Sequence, residues 1–380
     1  MLVNILGFVL LAAYLASYFA FFGWMAAPFL SPEAESAHMR AARNLKAVFF
    51  IPAFWVVLEY VRGWLLGGFP WALLAYSQWK NIPWMQVADF SGAYGVSFFL
   101  VLANAVVYKL IRWFFFTDKK AAIPAGEGEP KILYARNLFL ILAVVLALVF
   151  GYGQWTLSAR DAFYLSSKPK AALRIAVVQG NIPQDQKWDN RIKTIIFEKY
   201  KRLTLMAALE KSDLIVWPET AFPGYLEDEP VMATHLRALT HQSGTALLVG
   251  APTIGDLEEG LRFFNSAILY GSNGEEAARY SKVHLVPFGE YIPLEPALGF
   301  LRHFVEIGRF SPGREKTLFK IHSKYQPLKI TAKFGALICY EDIFPGLVRE
   351  FCTNGADFMI NMTNDAWFGK TSAPYQHAQA

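Results

Sequence analysis

Long apolar stretches and short apolar runs divide the chain into two regions of different character. Four stretches in the first 160 residues reach or approach the ~20 residues that a helix needs to cross the hydrocarbon core of a bilayer. We predict a membrane span in each, at 2–30, 47–66, 93–116 and 138–157. A cleaved signal peptide is the alternative for the first stretch, but this stretch has no basic leader and exceeds a signal core of about 7 to 15 apolar residues.

From about residue 162 the apolar runs shorten to strand length, charges become more frequent and turns recur. Short apolar runs predict strands and amphipathic segments predict helices, and their alternation is typical of an α/β domain. We therefore predict a helical membrane region over 1–160 and an α/β domain over 161–380. Its strands are expected at 171–180, 213–217, 245–250, 267–270, 330–338 and 357–361, and its helices at 189–211, 230–243 and 344–351.

The formal net charge of +5 comes largely from loops between the predicted spans. The loop 67–92 carries only Lys80, so the positive-inside rule places the two other loops in the cytoplasm and everything after the fourth span on the opposite side. Basic loops can also attract anionic lipids, but no basic patch interleaved with aromatic residues predicts a nucleic-acid partner. The basic positions are Arg40, Arg43, Lys46, Lys109, Arg112, Lys119, Lys120, Lys131 and Arg136.

Two features of the membrane region leave alternatives open. Trp71, Tyr76, Trp79 and Trp84 follow the second span, and they predict either an aromatic belt at the lipid headgroups or a buried loop of the helix bundle. Inside that span, two ionisable residues are spaced so that they can face each other on one side of a helix. Ionisable groups at membrane depth are candidate functional groups, whereas an ion pair that fastens the bundle is the structural alternative. These residues are Glu59 and Arg62.

Cys339 lies where the strand-like run 330–338 meets a helix-like run. The positive end of a helix stabilises a thiolate, and the thiolate is the nucleophilic form of cysteine, so this position predicts a nucleophile. A buried structural cysteine is the alternative, because free cysteine is among the most buried residue types. A disulfide with Cys352, the second of two cysteines, is a further alternative and would silence the nucleophile.

Acyl transfer by a thiol needs a base to move protons and a cation or donors to hold the oxyanion. Glu219 follows the predicted strand 213–217, and Lys282 lies in the segment 280–293, so both are candidates beside Cys339. A nearby lysine lowers the pKa of a thiol, and a nearby carboxylate can accept its proton. Each residue alone is as well explained by a solvated surface charge, and the local motifs decide between the two interpretations.

Several motifs in the right order resemble those of a known family. Trp217-Pro-Glu219, Lys282 with Pro287-Phe-Gly-Glu290, and Cys339-Tyr-Glu341 resemble the Glu, Lys and Cys motifs of the nitrilase (carbon-nitrogen hydrolase) superfamily. More narrowly, the chain resembles the apolipoprotein N-acyltransferase family over nearly its whole length. The motifs that carry this closer resemblance are 178–183 with Trp188, 284–293, 363–369, and 59–64 with 68–71 in the membrane region.

The resemblance implies an αββα sandwich attached to a multi-span membrane bundle of the bacterial inner membrane, with the sandwich on the periplasmic side. It implies a ping-pong acyltransferase that uses neither a cofactor nor a metal. Its partners would be a phospholipid acyl donor, chiefly phosphatidylethanolamine, and a diacylglyceryl apolipoprotein as acceptor. The implied acyl carrier is Cys339, the general base Glu219 and the oxyanion-stabilising cation Lys282, supported by Glu290 as a second carboxylate, Tyr340 and Glu341 orienting the turn, and Trp188 at the entrance.

Two other functions use the same residues differently. A membrane-tethered amidase would pass the acyl group to water, and a non-catalytic membrane binding protein would keep the scaffold without the reaction. The resemblance also implies more membrane helices than four, with a last span after the catalytic domain. The run 361–369 enters a loop that no closing element follows, so we expect the chain to be truncated.

Overall fold

The structure, a computed structural model, describes residues 2–30, 37–116, 131–166, 172–257, 260–303, 308–324 and 330–379. The chain forms two compact units, a helical unit of residues 1–166 with 379–380, and a sheet unit of residues 167–378. The predicted boundary at 160/161 falls inside the last helix of the helical unit, which continues to Ser166.

The helical unit contains five α-helices and two short 3₁₀ turns in its described residues. Its 3₁₀ turns, Leu65–Gly67 and Leu74–Gln78, lie between the second and third helices. The helices are α1 (Leu2–Leu30), α2 (Ala37–Arg62), α3 (Ile82–Met85), α4 (Ala88–Phe116) and α5 (Lys131–Ser166).

Three helices in the described residues are long and apolar enough to cross a membrane, judged by length and composition: Ile5–Phe29, Ala88–Arg112 and Arg136–Phe163. They coincide with three of the four predicted spans. The remaining span, predicted at 47–66, falls on α2, which is not among the three and ends at Arg62. A helix cannot extend to the predicted end at residue 66, because Leu66 and Gly67 have positive φ angles of 57° and 92°. Lys119 and Lys120, used to orient the spans, lie outside the described residues.

The aromatic residues after α2 divide between the two interpretations offered by the sequence. Tyr76 and Trp84 are buried in a cluster with residues of α4 and α5, as a packed loop requires. Trp79 is exposed, and Lys80 Nζ lies 4.7 Å from the centroid of its ring. Trp79 therefore keeps the position expected of an interfacial residue, whereas Trp71 is partly buried and its ring stacks on Phe69.

The sheet unit contains a five-stranded sheet in the order β1-β2-β3-β4-β5. Strands β1, β2 and β3 are parallel, and β4 and β5 are added antiparallel to the β3 edge. Strand β2 is apolar and buried over its whole length, whereas β1 at the end of the sheet exposes Ile175 and Val177. The strands are β1 (Ile175–Val177), β2 (Leu214–Val216), β3 (Ala246–Leu257), β4 (Gly260–Tyr270) and β5 (Glu276–Ser281).

A second sheet of three strands has the order β6-β7-β8, with β6 antiparallel and β8 parallel to β7. Strand β7 is central and is in contact with β4 of the first sheet. The strands are β6 (Leu318–His322), β7 (Thr331–Ile338) and β8 (Phe358–Met362).

Helices cover the outer faces of the two sheets. The apolar faces of α6 (Lys193–Leu209) and α7 (Pro230–Ser243) pack on the first sheet in the main hydrophobic core. On the second sheet, α9 (Pro345–Thr353) approaches β7 so closely that a Cβ at Gly335 would lie 2.7 Å from the Phe351 ring. Two short helices, α8 (Glu295–Leu298) and α10 (Ala373–His377), lie in the loops. The layers are therefore helix, sheet, sheet and helix, which confirms the predicted αββα sandwich.

Candidate active site

Cys339 directly follows strand β7 and begins a 3₁₀ turn, Cys339–Ile343. Its φ of 53° lies in the left-handed region, which costs a non-glycine residue about 1–3 kcal/mol and is frequent at active sites. The thiol is partly buried, and Cys339 and Cys352 are both free. The structure therefore contradicts the alternative of a disulfide between them.

A buried carboxylate, Glu341, holds the turn that carries Cys339. Its Oε2 accepts a hydrogen bond from the Ile338 amide at 2.8 Å, immediately before Cys339. Its Oε1 accepts from the Tyr280 hydroxyl at 2.7 Å and from the amides of Val283 at 2.7 Å and His284 at 3.1 Å. Glu341 therefore fastens the Cys339 turn to the segment that directly follows Lys282, and its role in orienting the turn for catalysis stays a prediction.

Glu219 lies two residues after Trp217, at the end of strand β2, and is 7% exposed. Its Oε1 accepts a hydrogen bond from Asn265 Nδ2 at 2.8 Å, and its Oε2 accepts from the Asn364 amide at 3.1 Å. Asn265 belongs to β4, and Asn364 follows β8. Groups from both sheets therefore fix this carboxylate.

Lys282 follows strand β5 and is 1% exposed. Its Nζ forms an ion pair with Glu290 Oε2, at 2.8 Å. Glu290 also accepts from the Val286 amide at 2.8 Å and from Asn265 Nδ2 at 3.1 Å. The amide of Asn265 therefore links the carboxylates of Glu219 and Glu290, and Lys282 lies in the same network.

The charges of this network act on Cys339. Burial raises the pKa of the thiol, and Glu219 and Glu290 raise it further, while Lys282 and a hydrogen bond with Thr363 lower it. Burial also disfavours the charge of Lys282, but Glu290, Glu219 and Cys339 together raise the pKa of this lysine. The lysine is therefore charged at rest and the thiol is neutral.

The predicted stabilisation of the thiolate is wrong for the resting site. A 3₁₀ turn separates Cys339 from α9, which begins only at Pro345, so the thiol does not lie at the end of a full helix. Burial and two carboxylates outweigh the effect of Lys282 on the pKa of the thiol. Attack by Cys339 therefore requires a base that accepts its proton during the reaction.

Two other predicted site residues have different surroundings. Tyr340 is buried, and its ring packs edge-on against Phe344 with a centroid distance of 5.2 Å. Trp188 is 45% exposed and directly follows the buried Lys187 in the chain. The orienting role of Tyr340 and the role of Trp188 at an entrance both stay predictions.

The predicted membrane pair is not formed. Among the residues that the structure describes, Glu59 and Arg62 make no ion pair with each other, although both are buried. Glu59 Oε1 accepts a hydrogen bond from the Leu74 amide at 2.8 Å, so the carboxylate holds the loop after α2. Arg62 Nε and Nη2 are buried and have no hydrogen-bond partner among the side chains and backbone groups that the structure describes. Their spacing was compatible with a pair, but the loop amide takes the carboxylate instead.

Sequence reasoning missed four polar residues of this site. Lys187 precedes the motif residue Trp188, and Asn265 interrupts an apolar strand, so both had a weak signal. Asn364 was noted only as part of the motif 363–369, and no signal in the sequence indicated His377, because the contacts of both residues join distant parts of the chain. A polar residue inside an apolar strand is the pattern that identifies Asn265.

His377 bridges two carboxylates next to the Cys339 turn. Its Nδ1 lies 2.8 Å from Asp365 Oδ1, and its Nε2 lies 3.1 Å from Asp342 Oδ1. Burial lowers the pKa of His377, but hydrogen bonds and charges from Asp342 and Asp365 more than offset this and raise the pKa to about 9. His377 is therefore a cation at neutral pH that holds the nucleophile turn to the loop after β8.

This bridge predicts a loss of stability as the pH rises. The folded pKa of about 9 exceeds the ordinary value of 6.5. The bridge therefore stabilises the fold fully below pH 6.5, and its contribution disappears as the pH passes through 9. The shift corresponds to about 3 kcal/mol. In thermal unfolding followed by tryptophan fluorescence between pH 6 and 10, His377→Gln should be less stable than wild type at pH 6, and this difference should shrink as the pH passes through 9.

The matched control for this prediction is His235→Gln, which changes an exposed histidine of α7. It should keep the wild-type dependence of unfolding on pH. A His377→Gln profile parallel to that of wild type would contradict the charged bridge.

Comparison with known proteins agrees with this fold and site. Residues 174–380 match the family model of carbon-nitrogen hydrolases, which is more than half of the chain. The chain therefore belongs to the carbon-nitrogen hydrolase family. Residues 1–106 match the model of the apolipoprotein N-acyltransferase N-terminal domain. Both matches confirm the resemblance found in the motifs.

Curated proteins similar to this chain are named apolipoprotein N-acyltransferase. Apolipoprotein N-acyltransferase of Geobacter metallireducens is 38% identical over 337 residues, covering 88% of this chain and 60% of the relative. That of Methylococcus capsulatus is 33% identical over 374 residues, covering 97% of this chain and 64% of the relative. The chain thus spans about three fifths of the length of these relatives.

Among solved structures, an amidase from Nesterenkonia sp. AN1 is 23% identical and covers 53% of this chain and 71% of the amidase. Its TM-score is 0.37, too low to add to the family match.

Proposed function

We propose that the protein transfers a fatty acyl chain from a phospholipid, through a thioester on Cys339, to the free α-amino group of an S-diacylglyceryl-cysteine at the N-terminus of an apolipoprotein. The observation that carries the proposal is the buried network that joins Glu219, Lys282 and Glu290 around the Cys339 thiol. Relatives that bear the name apolipoprotein N-acyltransferase, and apolar helices long enough to cross a membrane, support acyl transfer from lipid.

In the first half-reaction the Cys339 sulfur attacks the ester carbonyl of the phospholipid, and Glu219 accepts the thiol proton. Lys282, charged and fixed by Glu290, stabilises the oxyanion of the tetrahedral intermediate. The carbon–oxygen bond then breaks, and Glu219 returns the proton to the leaving alkoxide. The products are a lysophospholipid and an acyl thioester on Cys339.

In the second half-reaction the α-amino group of the diacylglyceryl-cysteine attacks the thioester carbonyl. Glu219 accepts a proton from the amine, the carbon–sulfur bond breaks, and the proton returns to the thiolate. The raised pKa of the Cys339 thiol favours this return. The product is an amide, and the enzyme regains its neutral thiol.

We also propose that the protein lies in the bacterial inner membrane with the sheet unit on the periplasmic side. The basic loops between predicted spans support this orientation. Cys352 is an exposed free cysteine of the sheet unit, so its labelling shows on which side of the membrane this unit lies. A membrane-impermeant maleimide should label Cys352 in intact spheroplasts. Labelling only after the membrane is broken would contradict the periplasmic assignment.

The direct test of the function is a two-step reaction with the complete protein in detergent–phospholipid micelles. Phosphatidylethanolamine with a labelled acyl chain should yield lysophosphatidylethanolamine and a hydroxylamine-sensitive label on the peptide that contains Cys339. A synthetic diacylglyceryl-cysteine peptide should then remove the label and become N-acylated. Free fatty acid in place of the acylated peptide would favour the hydrolytic amidase, and no label at all would favour the non-catalytic binding protein.

A further inference from the structure

Lys187 is a second buried lysine beside Glu219. It is 8% exposed, and its Nζ donates to the Glu219 carbonyl oxygen at 3.1 Å and to the Thr220 hydroxyl at 2.5 Å. Within the described part of the chain no carboxylate forms an ion pair with this ammonium. Lysine is almost never buried unless its charge is compensated. Lys187 is therefore not a solvated surface lysine, and its burial needs a structural or functional reason.

The turn that Lys187 contacts has a strained backbone. Thr220 has a φ of 45°, in the left-handed region that β-branched residues avoid. The turn also lies directly against β3, where a Cβ at Gly250 would be 2.2 Å from the Pro218 carbonyl oxygen. Lys187 and β3 therefore both contact this strained segment.

The charge of Lys187 also reaches the reacting groups. Burial lowers its pKa to about 8, while the negative charges of Glu219 and Cys339 oppose this fall. The ammonium is therefore protonated at neutral pH and interacts with both groups. Lys282 differs because its charge is neutralised by the ion pair with Glu290.

We propose that Lys187 is a positioning residue for the reaction proposed above: its ammonium holds the Glu219–Thr220 turn and favours the negative charge that develops on the Cys339 sulfur. It contacts the backbone and a hydroxyl rather than the substrate, so it acts through Glu219 and Cys339. The inference rests on the proposed function for its consequences in acyl transfer, but its electrostatic part is measurable on the thiol alone.

The test measures the rate of alkylation of Cys339 by iodoacetamide as a function of pH. A Cys352→Ala background leaves Cys339 as the sole cysteine of the 380-residue chain. Lys187→Met keeps the length of the side chain without the charge, and we expect alkylation about tenfold slower at pH 7, because loss of the ammonium raises the pKa of the thiol. Above about pH 8 Lys187 loses its proton in the parent protein, so the alkylation rates of the parent and of Lys187→Met should become more similar. Lys187→Arg keeps the charge and should be alkylated at the parent rate at pH 7. Its rate should stay well above that of Lys187→Met above pH 8 as well.

The control is Lys201→Met, because the Lys201 side chain on α6 is 38% exposed and pairs with Glu198. This variant should match the parent at every pH. In acyl transfer, Lys187→Met should lower kcat for thioester formation about tenfold or more, with little change in KM for phosphatidylethanolamine, and Lys187→Arg should restore most of it.

The outcomes separate this inference from the proposed function. Equal alkylation of the parent and Lys187→Met at all pH values would overturn the role of Lys187. A constant deficit without narrowing above pH 8, unrelieved by Lys187→Arg, would also overturn it and indicate a packing defect. By contrast, a parent protein whose thiol responds to Lys187 but which releases no lysophospholipid would refute the proposed acyl transfer only.

Discussion

Replacing Cys339 by alanine is expected to abolish acyl transfer, with a loss of about 10⁴-fold or more in the release of lysophospholipid. No other side chain can take its place as acyl carrier, because Cys352 is exposed on α9 and the site holds no second thiol. Mass spectrometry should find no acyl group on the protein after incubation with phosphatidylethanolamine. Alanine tolerates the φ of 53° about as well as cysteine, so thermal unfolding should stay close to that of wild type.

Cys352→Ala is the matched control for this prediction, and it should keep the full rate of acyl transfer. Cys339→Ser provides a second check, because a serine hydroxyl is a weaker nucleophile than a thiol and forms an ester in place of a thioester. We expect Cys339→Ser to fall close to Cys339→Ala. Substantial lysophospholipid release by Cys339→Ala would contradict a thioester pathway and leave the protein without a proposed carrier.

The fold was largely predictable because its elements have strong local signals. The predicted helix 230–243 has the bounds of α7, Pro230–Ser243, since proline starts it and Gly244 ends it in a left-handed conformation. Strands β3 and β4 are longer than predicted. They pair with each other over residues 247–257 of β3, and this paired stretch includes polar residues that the apolar pattern did not assign to a strand. Strands β5 and β6 were missed, since their pairing partners rather than their own apolar content define them.

The site was predictable only where a residue follows a strand within a motif. Glu219, Lys282 and Cys339 do so, and the structure places all three in one electrostatic network, while their roles stay predictions. The pKa of the thiol could not be predicted, because its sign depends on burial and on the balance between two carboxylates and one lysine. Asn265 and His377 act across long sequence separations, which spacing along one chain does not reveal.

Glu59 and Arg62 illustrate the same limit inside the membrane region. Helical spacing correctly places both residues on α2, but it does not determine which partner each side chain takes. The amide of Leu74, from the loop that follows, takes the Glu59 carboxylate. A tertiary contact outside the helix therefore replaced the local pair that the sequence predicted.

Replacing Glu219 by glutamine is expected to slow acyl transfer by about 10²–10⁴-fold, the usual contribution of a general base. Glutamine has one oxygen, whereas Glu219 accepts hydrogen bonds at both oxygens from Asn265 and the Asn364 amide. One of these hydrogen bonds must therefore be lost with the proton acceptor. The measurement is the rate of thioester formation from phosphatidylethanolamine, with Glu198→Gln, an exposed change on α6, as the control.

The same variant separates a general base from a general electrostatic effect. The charge of Glu219 raises the pKa of the Cys339 thiol, so its removal should increase the thiolate fraction at neutral pH. In a Cys352→Ala background, Glu219→Gln should therefore react faster with iodoacetamide while it forms the acyl thioester more slowly. If both rates fall together, the variant has only damaged the site. If thioester formation keeps the wild-type rate while alkylation accelerates, Glu219 does not move the proton, and the buried neutral thiol must give it to another acceptor.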